Sequence, residues 1–73
     1  MAEIQILSEL NASIWKILVS AGDQVEADQE LLILESMKTE IPATAPTPGR
    51  VARVLVVEAE SVREGQALLV LRT

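Results

Sequence analysis

Apolar residues fall along this chain in short runs of strand length. Ile14 to Val19 and Leu31 to Leu34 form one pair of runs, Val51 to Val57 and Leu68 to Leu71 a second, and none is long enough for a helix. The two pairs repeat. At a constant shift of 37 residues, as from Val25 to Val62, Ile14 to Glu35 lies over Val51 to Arg72 without a gap. Leu18, Val19, Val25, Gln29, Leu31, Leu32 and Leu34 meet Leu55, Val56, Val62, Gln66, Leu68, Leu69 and Leu71, while Lys16, Asp23 and Ile33 meet Arg53, Glu60 and Val70. The spacing predicts an all-β unit of two similar halves, each covering the apolar face of the other about a two-fold axis.

Turn residues punctuate the runs in matched places. Gly22-Asp23 follows the first run, and Asp28, opposite Gly65, precedes the second; Asp and Gly both tolerate a left-handed backbone, so positive φ is expected at 28 and 65. Ala59 stands where Gly22 predicts a glycine, so that turn is expected to differ in detail. Between the copies, Pro42, Pro46 and Pro48 are expected to break any long central strand, and Thr47-Pro48-Gly49-Arg50 reads as a tight turn with Pro and Gly in the type II positions. The apolar run Leu31 to Leu34 does not alternate, which leaves the inward side chains open. Trp15 shares a predicted strand face with Ile17 and Val19 and is expected to cover a core edge.

The repeat also places the junction. The position equivalent to Lys38 in a preceding copy is Met1, and in a following copy it lies just beyond the chain end. Junction and termini are therefore two-fold counterparts, which puts Lys38 at one tip of the domain and the termini at the other.

Composition narrows the chemistry. The 73 residues amount to a single domain, 1–73, able to hide only about 60% of its unfolded surface, with little room for a deep pocket. Cysteine and histidine are both absent, which removes disulfides, thiolate nucleophiles, Cys-based zinc sites and the usual proton-transfer group near neutral pH. No paired carboxylate site stands out among the eleven Asp and Glu, so neither a catalytic residue nor a metal ligand is expected. A net charge of −5 with one aromatic residue argues against nucleic acid. Met1-Ala2-Glu3 lacks a basic leader, no apolar run approaches the ~20 residues of a membrane span, and a cytoplasmic protein is expected.

Glu35-Ser36-Met37-Lys38-Thr39-Glu40 occupies the junction. On composition alone Lys38 is an ordinary solvated charge, and no Asn-Gly, Asp-Gly or Pro-Gly marks a turn around it. The segment Leu31-Leu32-Ile33-Leu34-Glu35-Ser36-Met37-Lys38, however, resembles the attachment motif of the biotinyl domain family. The resemblance extends through Gly22, Asp23 and Val25, Ala45-Pro46, Gly49 and Gly65-Gln66-Ala67-Leu68, nearly the whole chain.

The family implies a flattened barrel-sandwich of two antiparallel sheets with biotin joined covalently to Lys38. Met37 is then a recognition residue or a contact for the biotin ring, and Glu35, Ser36, Thr39 and Glu40 flank the hairpin. Glu35 and Glu40 either keep the hairpin solvated or orient it towards a basic partner surface. An ordinary lysine amine is unprotonated in only about one molecule in a thousand near neutral pH, so attachment falls to a biotin protein ligase. The resemblance further implies a non-catalytic carrier: biotin would be carboxylated at a biotin carboxylase site with bicarbonate and ATP, and would give up the carboxyl group at a carboxyltransferase site. Tethering supplies a high local concentration at each site.

Thr39 departs from the Met or other apolar residue usual after the lysine, which puts partner recognition in question. Related lipoyl domains place Asp before their lysine and Ala after it; Met37 and Thr39 match neither. A lipoyl carrier and an unmodified interaction module are the alternative readings.

Overall fold

The computed structural model describes residues 2–73. They form eight strands and, among the described residues, no helix: β1 (Glu3–Leu7), β2 (Ala12–Ile17), β3 (Gln24–Val25), β4 (Glu30–Ser36), β5 (Thr39–Thr44), β6 (Gly49–Val54), β7 (Ser61–Val62) and β8 (Ala67–Arg72). Two four-stranded antiparallel sheets result, in the orders β1-β8-β6-β3 and β5-β4-β2-β7. Each sheet takes two strands from each half, so the halves interlock.

The 37-residue shift carries β1 to β4 onto β5 to β8 and converts one sheet order into the other. Irregularities repeat as well. The bulge between Ile14 and Lys16 in β2 returns between Val51 and Arg53 in β6, and that between Glu30 and Leu32 in β4 returns where β8 passes from Ala67 to Leu69. The repeat also begins earlier than Ile14, since β1 matches β5 and Glu3-Ile4 meets Glu40-Ile41.

Hydrogen bonds explain the matched polar residues. Gln29 Oε1 accepts from the Glu26 N–H (2.9 Å) as Gln66 Oε1 accepts from the Arg63 N–H (3.1 Å). The Asp23 carboxylate accepts from the Ser20 N–H (2.8 Å) as that of Glu60 accepts from the Val57 N–H (3.1 Å). Backbone bonds then cross between halves in pairs: Gly22 N–H to Val51 O and Ala59 N–H to Ile14 O, both 2.7 Å, and Val51 N–H to Asp23 O and Ile14 N–H to Glu60 O, both 2.8 Å.

Asp28 and Gly65 have φ of 66° and 85°, as their turn chemistry predicts. The turn at Ala59 corrects the sequence reading: its φ of 73° repeats the left-handed backbone of Gly22 (96°) despite the Cβ. The 2.7 Å bond from its N–H to Ile14 holds it there, and such a residue costs about 1–2 kcal/mol where glycine would not. Thr47 to Arg50 is not a type II turn. Gly49 has no positive φ and opens β6; a Cβ on it would stand 2.7 Å from the Arg72 carbonyl oxygen, so glycine is needed for close backbone approach. Pro42 lies inside β5, which tolerates it as the edge strand of its sheet.

The bulges also decide which leucines point inward. Leu31 and Leu32 are both fully buried although adjacent, because the irregularity between Glu30 and Leu32 turns two successive residues towards the core; Leu68 and Leu69 repeat this. With Ile14, Val25, Val51 and Leu71 they form a core between the sheets. Trp15 does not belong to it. As the extra residue in the β2 bulge it is turned outward, 42% exposed, with the Lys16 ammonium 5.1 Å from its ring centroid.

The chain ends meet as two-fold counterparts of the β4–β5 hairpin. Ala2 and Thr73 exchange backbone bonds of 3.2 and 2.8 Å, in the place of the Ser36–Thr39 pair. Met1, the sequence counterpart of Lys38, lies outside the described residues. From the termini, β1 runs to Leu7, which lines a cleft with Leu10, Leu34, Ile41 and Pro42, and β4 and β5 continue from that cleft to their tip. Termini and tip so occupy opposite ends of a molecule 36 Å long and 18 by 17 Å across.

Gly49→Ala should destabilise the fold by about 1–3 kcal/mol through this clash, read from the midpoint of urea unfolding. A hydrogen bond from Arg72, at 2.8 Å, holds the Glu3 carboxyl below the usual glutamate range; partial loss of hydration opposes this, and the Arg53 guanidinium at 3.5 Å adds to it. A lowered native pKa means that the unfolded state binds more protons, so the contribution is present above the ordinary value of ~4.3 and is lost as pH falls through the native one. Glu3→Gln should flatten the fall in stability below about pH 4 in acid titrations of unfolding.

Candidate functional site

The site is the two-residue tip between β4 and β5. Ser36 pairs with Thr39 and Glu35 with Glu40, leaving Met37 and Lys38 as the loop. Their φ values are 52° and 66°, as a type I′ hairpin requires of both central residues. Neither is Gly, Asn or Asp, so local propensity opposes this turn and the flanking ladder imposes it. This is why the turn is invisible in the local sequence: register chooses it.

Lys38 is exposed, and among the described residues no hydrogen bond or ion pair engages its ammonium. Lys16, the other lysine, lies within β2 against the Trp15 ring. A primary amine free at a convex tip fits an amide-linked cofactor. Met37 is 94% exposed and contributes nothing to the core, which removes packing as the reason for its presence. Glu35, Thr39 and Glu40 are exposed and Ser36 is half-buried.

The ladder adds two residues that the sequence reading did not connect with the tip. Glu40 pairs with Glu35, Glu35 with Ser13, and Ser13 with Ser61, giving one polar row across all four strands of the sheet next to the loop. Two carboxylates directly opposite each other, with no cation bonded to either among the described residues, are a small cost to the sheet and a negative feature beside the amine.

Among the described residues no cluster of three or more Asp or Glu is placed to hold a metal ion, and no helix is long and apolar enough to cross a membrane. What the tip can do chemically is present one amine and a thioether side chain to another macromolecule.

Residues 5–71 match the family described as biotin-requiring enzyme. The chain is 48% identical over 61 residues to a biotin/lipoyl attachment protein of Bacillus subtilis, covering 84% of each. It is 38% identical over 71 residues to the biotinylated protein TB7.3 homolog of Mycobacterium leprae, covering 97% of this chain and 99% of that one. A dihydrolipoyllysine-residue acetyltransferase component of the pyruvate dehydrogenase complex of Azotobacter vinelandii is 40% identical over 62 residues, of which the chain spans 10%. Among solved structures, the urea carboxylase of Kluyveromyces lactis superposes with a TM-score of 0.91 at 30% identity over 99% of this chain and 6% of its own. Family match, sequence relatives and superposed fold agree: the chain belongs to the biotin/lipoyl attachment family.

Proposed function

We propose that the chain is a biotin carboxyl carrier, a single non-catalytic domain whose Lys38 bears biotin and moves it between a biotin carboxylase and a carboxyltransferase. The observation that carries this reading is the presentation of Lys38: an exposed amine, one of two left-handed residues at the tip of a ladder-held hairpin, beside a Met37 that the fold does not use. Biotin is favoured over lipoate because Met37 precedes the lysine and Thr39 follows it, whereas lipoyl domains resemble one another in Asp and Ala there. The similarity to an acetyltransferase component keeps lipoylation as the second reading.

The division of labour follows from the chain's own residues. An ordinary lysine amine is almost wholly protonated near neutral pH, so a biotin protein ligase must remove the proton and supply activated biotin. Nζ, once it has lost that proton, would attack the activated carboxyl of biotin; the amide N–C bond forms as the bond to the activating group breaks, a second proton leaves Nζ, and the tip loses one positive charge. The ladder below Ser36 and Thr39 fixes where the amine stands, while the lysine stem supplies reach. When bound, biotin supplies the group that takes up and gives back the carboxyl. Weak affinity for each partner suits a carrier that must leave one site for the next. Glu35 and Glu40 orient the tip towards basic partner surfaces by long-range attraction.

Incubation with a biotin protein ligase, biotin and ATP should add one biotin, seen by intact mass and by streptavidin binding. Lys38→Arg should abolish it with the fold retained, and lipoate with a lipoate ligase should give no adduct. A wild-type protein that stays blind to streptavidin would refute the reading, and an adduct with lipoate alone would replace it with the lipoyl one. Reversing both Glu35 and Glu40 to Lys should slow biotinylation by about tenfold or more at low salt and less at high salt. An unchanged rate would reduce the two carboxylates to solvation of the hairpin.

A further inference from the structure

The two sheets present the same row of positions at opposite ends of the molecule, and the rows differ in charge. Next to the tip the row reads Glu40, Glu35, Ser13, Ser61. Its two-fold counterpart on the other sheet reads Glu3, Arg72, Arg50, Gln24. The next row in continues the contrast, with Pro42, Ile33 and Lys16 against Gln5, Val70 and Arg53. Because both sheets have the same strand order, register and bulges, the fold itself does not require arginines at 50 and 72; the sister sheet is built with Ser13 and Glu35 there.

Three of the chain's four arginines thus stand together on a protein whose net charge is −5. Glu3 is shared between Arg72 (2.8 Å) and Arg53 (3.5 Å), and among the described residues the Arg50 guanidinium has only the neutral Gln24 side chain as a side-chain partner, at 3.4 Å. The carboxylate of Asp23, next to Gln24 in the chain, is turned back on the Ser20 N–H. Arg50 and Arg72 are directly opposite in register, an arrangement of like charges that costs the sheet stability. The stems of these arginines have a structural use, since Val70 is 2% exposed although it lies outside the core cluster. Stems do not need charged heads, and the side chains of Arg53 and Arg72 remain about half exposed.

We infer that the outer face of the β1-β8-β6-β3 sheet, centred on Arg50, Arg53 and Arg72, is a docking surface for a carboxylate-rich surface of a different protein, not of a second copy of this chain. Planar guanidinium forks suit bidentate pairing with carboxylates. An extended polyphosphate is the weaker fit, because it gains affinity from many simultaneous contacts and this face offers three cations with an acid among them. The face is at the end of the molecule away from Lys38, so a partner held there leaves the hairpin free to work.

Poly-L-glutamate is the probe. The unmodified full chain, labelled with nitrogen-15, is titrated at about 0.01 M and about 0.15 M salt, where the screening length falls from roughly 30 to 8 Å. Binding at low salt, with amide shifts at Gln5, Gln24, Arg53 and Val70 that fade at high salt, is the expected result. Arg50→Ser combined with Arg72→Glu installs the residues that the sister sheet carries, and should weaken binding by about tenfold or more; Arg50→Lys with Arg72→Lys should retain most of it. Three results overturn the inference: no low-salt binding, shifts that persist in the Ser/Glu double variant, or tighter binding of a single-stranded oligonucleotide than of poly-L-glutamate. Concentration-dependent shifts without any probe would also overturn it, by giving the face to the acidic tip of a second copy. Lys38 takes no part in the titration, so a negative result leaves the carrier reading standing.

Discussion

Interlocking of the two halves is the constraint on which the molecule depends. Each sheet holds two strands from each half, and the paired bonds at Gly22, Asp23, Ala59 and Glu60 tie every half-turn to the other half's strand. Neither half can bury Leu31, Leu32, Leu68 and Leu69 by itself. A domain of 73 residues without disulfides becomes stiff this way, because no strand pair can separate without exposing apolar surface from both copies.

That stiffness is what the hairpin tip uses. Two consecutive non-glycine residues at positive φ are locally unfavourable, and they persist because Ser36–Thr39 and Glu35–Glu40 fix the register on either side. A tip that violates local preference while its fully exposed Met37 contributes no packing is a site shaped by something other than folding. The same economy appears at Ala59, where a glycine would be easier but the backbone bond to Ile14 holds the turn. There the reason is fold closure alone, since that turn has an equivalent at Gly22 and presents no reactive group.

Duplication of geometry with divergence of charge gives the two ends separate characters. The equivalents of the arginine-bearing row are two carboxylates and two serines beside Lys38, so one end of the molecule is basic and bridged while the other is acidic and unbridged. For the proposed carrier, this asymmetry would leave the Lys38 end open to successive partners while the other end is held.

The sequence by itself determined the strand-rich class, the two-fold repeat and the left-handed turns at Asp28 and Gly65, and its likeness to the attachment motif singled out Lys38 as the proposed point of attachment. These are properties of short-range chemistry and of a 37-residue periodicity, both of which survive in one dimension. Only the tertiary structure decided the rest. It set which leucines face inward, because bulges that shift the side-chain phase do not show in a run without alternation; it turned Trp15 outward, put Gly49 under the Arg72 carbonyl instead of in a turn, and gave the hairpin that the motif implied a left-handed Met37-Lys38 turn without any turn residue. In each case the deciding partner lies across the sheet, far away in the chain, and register supplies the free energy that local preference does not.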